Sequence, residues 1–398
     1  MLSFLKSIIL SGADVFNKVV GGPAAFTRPA IPDPSQVFPN DEARLDAIMG
    51  SAEVELASFV RDGVFQTNLP TALEDSAIWQ GVYAAMTAVR WRLNQSLPNQ
   101  LAMREAAVAL ARHLHDGILC RGALPQELRQ DFFVQDANAK YYFENGCIYC
   151  EDASLDSLLG VMFGCSVVAR FGDEASKVSL ALPLQLFSDA FAQHGFKITN
   201  RDGSCTTYGD CSPGFFQAPV RNLAAALPSL VSGGCAWQGI ARKYGDEFRA
   251  TDTQIPGKIS YVNAHLAILA NLTYACAAQQ GAPGRNDAIE GLHVLMGKYA
   301  DAGNSFLIHA AAALGTVPNP SQLAKADKVL LEFSVGPKPT QGLNGQAPPA
   351  LQPVPVWQRP GADVFWQRNP YTCWNTDRQR YSRLDFLVAY YFRKLARS

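Results

Sequence analysis

Apolar residues at three-and-four spacing recur along most of the chain, and this pattern restricts the possible folds more than any other feature. Segments with this spacing begin near residues 41, 71, 99, 155, 174, 221, 260, 287, 304, 321 and 382. The spacing is typical of amphipathic helices, whereas half-buried strands alternate with a period of two. Because no convincing run alternates in this way, the sequence predicts an all-α body. No repeat of fixed length is present, so the succession of helical hairpins favours a ring or a stack over the named solenoid families.

The chain divides into an N-terminal arm and a body. Residues 1–26 imitate a signal peptide, but their apolar side chains fit one face of an amphipathic helix better. These side chains are Leu2, Leu5, Ile8, Ile9, Val15, Phe16 and Val19. Residues 23–40 contain five prolines, which favour an extended linker. We therefore expect a separable arm over 1–40, which could mediate a protein assembly, and one domain over 41–398.

Within this domain, three connecting segments are expected to be irregular. They are residues 117–149, residues 194–219 and the Pro-, Gly- and Gln-rich residues 337–360. The first helix of the domain is expected to end at Asp62–Gly63, a sequence that suits a helix C-terminus.

Composition limits the classes of partner. The chain has 398 residues, a net charge of −1 and 48% hydrophobic residues, which suffices for a large core in one or two domains. No block of basic residues stands out, which argues against a protein that follows a nucleic-acid backbone. No apolar run reaches the length of about 18 residues that a transmembrane helix needs, so no membrane span is predicted.

The segment from Glu144 to Asp173 joins an acidic, polar run to an apolar helix. Asp156 falls in the first turn of this helix, where the helix dipole favours a carboxylate. Gly160 and Gly164 lie four residues apart within it, and each lowers helix propensity by about 1 kcal/mol relative to Ala. We therefore expect both glycines to allow another segment to approach closely. Two interpretations stay open, a capped and buried helix or a carboxylate held at the edge of a cavity.

The nine cysteines are an odd number for a disulfide framework. Cys147 with Cys150 and Cys205 with Cys211 form two close pairs. Together they could bind zinc, although the second spacing is wider than usual. The stronger alternative is a local Cys205–Cys211 disulfide, if the protein works outside the cytosol. No metal or other cofactor is predicted.

Three segments resemble the α/α toroid enzymes that act on glycans, which are six-hairpin barrels of glycoside hydrolases and polysaccharide lyases. EDSAIWQGVYAAMTAVRW (74–91) is similar to a recurrent toroid helix that begins with an acid. EDASLDSLLGVMFGCSVVARFG (151–172) is similar to a helix that begins Ser-x-Asp-Gln, with Ser157 in place of the Gln. WNTDRQRYSRLDFLVAYYFRK (374–394) resembles the closing helix. The resemblance implies an α/α toroid with long irregular loops, whose inner helices begin at a central funnel.

Glycoside hydrolysis needs two carboxylates that flank the bond. Asp75, Asp156 and Asp385 each begin a helix of the inner type, so any two of them could face each other across the funnel. Alternatively, all three are terminal acids that interact with helix dipoles. A lyase would instead neutralise a uronate carboxylate and remove the adjacent proton. Tyr261 and His265 share a helix face and are the candidates for that role.

Sugar rings stack on aromatic side chains, and their hydroxyls form hydrogen bonds with polar ones. The candidate substrate-binding residues are Trp79, Tyr83, Asn263, Trp366, Trp374, Asn375 and Arg383. Trp79 and Tyr83 could instead be core aromatics.

The sequence thus supports a glycan-degrading enzyme that hydrolyses a polysaccharide or oligosaccharide. The alternatives are a polysaccharide lyase and a non-catalytic structural or attachment protein, for example a phage virion component. An extracellular, periplasmic or virion-associated location is favoured over the cytoplasm. The sequence lacks the nucleophile elbow, the P-loop, the zinc-protease helix and the dinucleotide fingerprint that mark other enzyme classes.

Overall fold

The computed structural model describes residues 39–66, 73, 76–133, 135–212, 218–233, 261–278, 284–298, 304–332 and 382–398. This part of the chain is mostly helical, which confirms the predicted class. The helices are α1 (Asp41–Ala57), α2 (Ser76–Leu93), α3 (Leu97–Arg112), α4 (Arg129–Phe132), α5 (Leu155–Phe171), α6 (Glu174–Gln193), α7 (Ala218–Ser232), α8 (Tyr261–Ala277), α9 (Arg285–Lys298), α10 (Ser305–Ala313), α11 (Pro320–Leu331) and α12 (Leu384–Arg397). Of the arm, only residues 39 and 40 are described, and residues 337–360 lie outside the described ranges.

Short antiparallel strands connect several of the helices. They are β1 (Val60–Arg61), β2 (Val64–Phe65), β3 (Leu114–His115), β4 (Ile118–Leu119), β5 (Gly122–Pro125), β6 (Tyr141–Glu144), β7 (Cys147–Cys150), β8 (Lys197–Thr199) and β9 (Cys205–Asp210). Strand β7 lies between β5 and β6 in a three-stranded sheet, and the other strands form two-stranded pairs. The segments 117–149 and 194–219 therefore contain strands, and the expectation that they are wholly irregular is wrong.

Three of these hairpins turn at an Asp-Gly or Asn-Gly dipeptide. Both residues of Asp62–Gly63, Asp116–Gly117 and Asn145–Gly146 have positive φ, between 48° and 82°. Type I′ turns need this conformation, and their twist matches that of two antiparallel strands. The expectation that Asp62–Gly63 ends the first helix is therefore wrong, because α1 ends at Ala57 and this dipeptide connects β1 to β2.

Five helices contact one another in a series that returns to its start. Helix α2 packs along α5, α5 on α8, α8 on α10, α10 on α12, and α12 on α2. Each of the other long helices packs beside this series: α3 on α2, α6 on α3, α7 on α6 and α8, α9 on α8, α11 on α10, and α1 on α12. Helix α5 is buried at every position from Ser157 to Val168, whereas α6 buries one face.

Glycines allow α2 and α5 to approach at backbone distance. A Cβ atom placed on Gly164 would lie 2.6 Å from the carbonyl oxygen of Gly81. A Cβ atom on Gly160 would lie less than 2.6 Å from the backbone of Ile78. A Cβ atom on Gly81 would lie less than 2.6 Å from the carbonyl oxygen of Gly160. Real Cβ atoms do not tolerate such contacts with backbone. The expectation that Gly160 and Gly164 permit close approach is confirmed, and the approaching segment is α2.

Ion pairs hold the C-terminal half of α12. Arg393 lies 2.8 Å from Glu42 on α1 and 2.8 Å from Asp327 on α11. The hydrogen bond from Arg393 lowers the pKa of Glu42 to about 2, although burial acts in the opposite direction. Lys394 contacts Glu42 at 2.8 Å as well. These pairs fix the orientation of α12 and with it the position of Asp385 at the other end of the helix.

Candidate functional site

A polar cavity of about 370 Å³ lies beside the segment that leads into α5. Four separate segments line it: residue 121 before β5, residues 138–140 before β6, residues 150–152 at the end of β7, and residues 200–207 in the β8–β9 hairpin. The polar residues among them are Arg121, Asn138, Lys140, Glu151, Asp152, Asn200, Ser204 and Thr207. The lining thus combines acidic, basic, amide and hydroxyl side chains.

Asp152 has a left-handed backbone conformation, with φ of 60°. Its N–H donates to Oδ1 of Asn200 at 3.0 Å, and its own Oδ1 accepts from the N–H of Thr207 at 2.7 Å. A non-glycine residue in this conformation is uncommon and is maintained only where the surroundings fix it. The two bonds to the β8–β9 hairpin supply that constraint. Such strained positions are concentrated at functional sites.

Glu151 connects two of the lining segments. Its N–H donates to the carbonyl of Lys140 at 2.9 Å, and its Oε1 accepts from the N–H of Arg201 at 2.8 Å. The N–H of Arg121 donates to the carbonyl of Cys150 at 2.9 Å. Backbone bonds therefore fix the positions of the cavity walls, and the side chains of Lys140 and Arg121 are presented from ordered strand ends.

Two long helices are connected at their N-terminal ends to the cavity wall. The carbonyl of Arg121 accepts from the N–H of Ala77 in the first turn of α2, at 3.0 Å. Helix α5 has Ser154 as its N-cap, in a capping box with Ser157. Ser157, the residue that departs from the toroid pattern, is thus a helix-capping residue here. Thr206 donates to the carbonyl of Ala153 at 2.7 Å and joins the β8–β9 hairpin to the start of α5.

The structure brings together two of the predicted catalytic residues, Asp156 and His265. Oδ2 of Asp156 in the first turn of α5 lies 3.8 Å from Nε2 of His265 on α8. This is an ion-pair distance and is longer than a hydrogen bond. The side chain of Asp156 is 32% exposed and that of His265 only 2%. A substrate in the solvent can therefore reach the carboxylate, whereas the imidazole lies behind it.

The other described candidates occupy different positions. Asp385 is buried in the first turn of α12. Arg383 is buried and donates from Nε to Oε2 of Glu55 at 3.0 Å, which connects the start of α12 to α1. Tyr83 is buried and stacks on Phe65 with ring centroids 5.4 Å apart, so it belongs to the core. Trp79 is partly buried against the same core.

Several predicted site residues are not covered by the described part of the structure. Asp75, Trp366, Trp374 and Asn375 lie outside the described residues, as do the side chains of Tyr261 and Asn263. Asp75 directly precedes α2 in the sequence.

The cysteine pairs do not have the geometry that either sequence hypothesis needs. Cys147 and Cys150 lie three residues apart in β7, where successive side chains point to opposite faces. Cys205 begins β9 and Cys211 follows its end, so about 20 Å of extended chain separates them, against the 4.4–6.8 Å that a disulfide allows between Cα atoms. Both thiols are free. The expected Cys205–Cys211 bridge is therefore wrong.

Two further properties concern the described residues only. None of the described helices combines the length and the apolar composition needed to cross a bilayer. In the same ranges, no group of three or more His, Cys, Asp or Glu side chains is arranged to hold a metal ion.

Comparison with known protein families gives no matching family, and no characterised protein or solved structure shows significant similarity to the chain. The functional inference therefore depends on the geometry of the site.

Proposed function

We propose that this protein is a glycan-degrading hydrolase that cleaves glycosidic bonds with paired carboxylates at the polar cavity. One observation carries the proposal: a cavity with acidic, basic and amide side chains is lined by residues that lead into α5 and by Arg121, whose carbonyl is bonded to the first turn of α2. Sugar hydroxyls both donate and accept hydrogen bonds, so a mixed lining of this kind suits them. The volume of about 370 Å³ lies within the range of about 300–1,000 Å³ that is usual for small-ligand sites.

We further propose that the helices form an α/α toroid. The contact series from α2 through α5, α8, α10 and α12 back to α2 supports this arrangement, because an inner ring of helices requires such a series. Helices α1, α3, α6, α9 and α11, which pack beside the series, would belong to the outer ring, and α7, which contacts both α5 and α8, would be the sixth inner helix. The site would then lie where inner helices begin, as the resemblance to toroid enzymes implies.

Asp156 is the first of the two proposed carboxylates. Its side chain is 32% exposed and can meet a substrate, and it follows the cavity segment 150–152 by four residues, although Asp156 itself is not among the residues that line the cavity. His265 is a positioning residue in this proposal, since it is buried behind Asp156. The second carboxylate belongs to Glu151 or Asp152 in the cavity wall or to Asp75 before α2. Hydrolysis requires one member of the pair to be protonated and the other to be ionised.

A panel of purified polysaccharides and oligosaccharides tests this proposal. The expected result is an increase in reducing ends on at least one glycan, without absorbance from unsaturated sugars. The absence of new reducing ends across neutral, acidic and amino-sugar polymers would contradict the proposed activity and favour the structural or attachment protein.

A second candidate, a polysaccharide lyase, is supported by the two cations of the cavity. Arg121 and Lys140 could neutralise the carboxylate of a uronate, which is the first requirement of elimination. The predicted base His265 is buried, which favours the hydrolase as the first choice. The same panel separates the two, because a lyase forms a carbon–carbon double bond at each cleavage and a hydrolase does not.

A further inference from the structure

We propose that the outward face of α6 is the docking site of the N-terminal segment, residues 1–22 of the same chain. This apolar face of α6 consists of Ala175, Val178, Leu182 and Leu186. Relative exposure is 62% for Val178, 65% for Leu182 and 43% for Leu186. On an ideal helix these positions fall on one side, because residues three or four apart lie above one another.

The opposite side of α6 is buried, so α6 is apolar on both sides over its middle turns. Its buried residues include Leu180, Leu184 and Phe187, which pack into the main core. Helices at the surface of a folded protein normally present charged or polar residues to water. Helix α11 follows that rule, since it exposes Lys325 and Lys328.

The few polar groups beside the apolar face are paired within α6 itself. Gln185 donates to Asp189 at 2.9 Å, and Lys177 lies 3.7 Å from Glu174. The Gln185–Asp189 pair lies along the apolar face, and the Lys177–Glu174 pair lies at its N-terminal end. The apolar side chains lie between the two pairs. The arrangement suits an apolar partner rather than a charged one.

The chain supplies such a partner at its own N-terminus. Residues 1–22 carry apolar side chains at helical spacing, with Leu2, Leu5, Ile9 and Phe16 on one side of an ideal helix. The face of α6 from Ala175 to Leu186 is about 17 Å long, and residues 2–16 as a helix would span about 21 Å. The two apolar surfaces thus match in length.

The linker is long enough for this contact. Residues 23–40 contain five prolines and, at about 3.1 Å per residue, can extend over about 55 Å before α1 begins at Asp41. A compact chain of this length has a radius of gyration of about 21 Å. The linker therefore spans more than twice this radius, so the segment 1–22 can reach surfaces far from the start of α1.

A second copy of the chain fits the apolar face of α6 less well. Three large apolar side chains are far fewer than the about 20–30 residues on each side of a standard protein interface. A tethered segment needs fewer contacts, because the linker keeps it at a high effective concentration near its site.

Photocrosslinking of the full-length protein tests the proposal. Benzoylphenylalanine is incorporated in place of Leu182, and crosslinked peptides are identified by mass spectrometry. The expected product is an intramolecular crosslink to residues 1–22, in protein that migrates as one chain. The matched control carries benzoylphenylalanine in place of Val317, which is 82% exposed and lies outside α6, and should give no such crosslink. The double substitution Leu5→Asp and Ile9→Asp should abolish the crosslink from position 182.

Three outcomes would overturn the proposal. A crosslinked species of twice the mass would show that another copy covers α6. A crosslink from position 182 to any other segment of the same chain would show that this segment is the occupant. No crosslink at position 182 would show that the face is open to solvent.

Discussion

Replacing Asp156 by Asn is expected to reduce glycan hydrolysis by a factor of about 10²–10⁴, because general acid–base groups contribute that much to turnover. The substitution keeps the shape of the side chain and removes its charge. The melting temperature should change by only a few degrees, because the contact of a first-turn carboxylate with the helix dipole is worth about 0.3–1 kcal/mol. Initial rates and thermal unfolding of the same preparations provide the two measurements.

Glu174→Gln is the matched control for this variant. Glu174 is an exposed acid in the first turn of α6, so it has the same helix-dipole contact, but it follows the C-terminal end of α5, whereas Asp156 lies at the end of α5 that follows the cavity segment 150–152. Its substitution should leave turnover unchanged. The turnover of Glu151→Gln and of Asp152→Asn is then compared with that of Asp156→Asn. The second carboxylate is the one whose substitution lowers turnover by a comparable factor. Full activity of Asp156→Asn on a confirmed substrate would remove Asp156 from the mechanism.

Replacing Gly160 by Ala is expected to lower the free energy of unfolding by at least about 1–3 kcal/mol, the usual cost of overpacking a core. The added methyl group would meet the backbone and side chain of Ile78 on α2, which cannot move without displacing the helix. Gly81→Ala should have a similar effect, since its methyl group would meet the carbonyl of Gly160. Denaturant unfolding followed by circular dichroism measures both changes.

Gly50→Ala on α1 is the control for these two substitutions. A Cβ atom at Gly50 would meet nothing within 4 Å, and Ala is favoured over Gly within a helix by about 1 kcal/mol. This variant should therefore be more stable than the natural protein. Equal stability of Gly160→Ala and the natural protein would show that α2 and α5 do not pack at backbone distance.

The helices of this protein could be predicted because each has its own apolar periodicity within a short stretch of sequence. The same local information indicated the close approach at Gly160 and Gly164. Two glycines lower the helix propensity of an apolar segment, and the sequence shows no reason for them other than a close contact. The identity of the approaching segment, α2, could not be predicted, because it depends on contacts between residues far apart in the chain.

The cavity could not be predicted from local patterns, because its walls come from four segments. Hairpins bring these segments together, and two of their turns were visible as Asp116–Gly117 and Asn145–Gly146. These dipeptides between short apolar runs are the strongest short-range signal for a hairpin, and they indicate strands where irregular loops were expected. Asp156 and His265 were each predictable as candidates, but for different mechanisms, and only the packing of α5 on α8 places them side by side.

The central claim is that the cavity beside α5 is the glycan site. Hydrogen–deuterium exchange of the Asp156→Asn protein tests this claim most directly. The inactive variant is measured with and without a saturating amount of the glycan that the panel identifies. Slower exchange is predicted in the cavity segments 138–152 and 200–207, with unchanged exchange in α11 (Pro320–Leu331). Protection confined to segments outside the cavity, or unchanged exchange in both cavity segments at saturation, would contradict the claim.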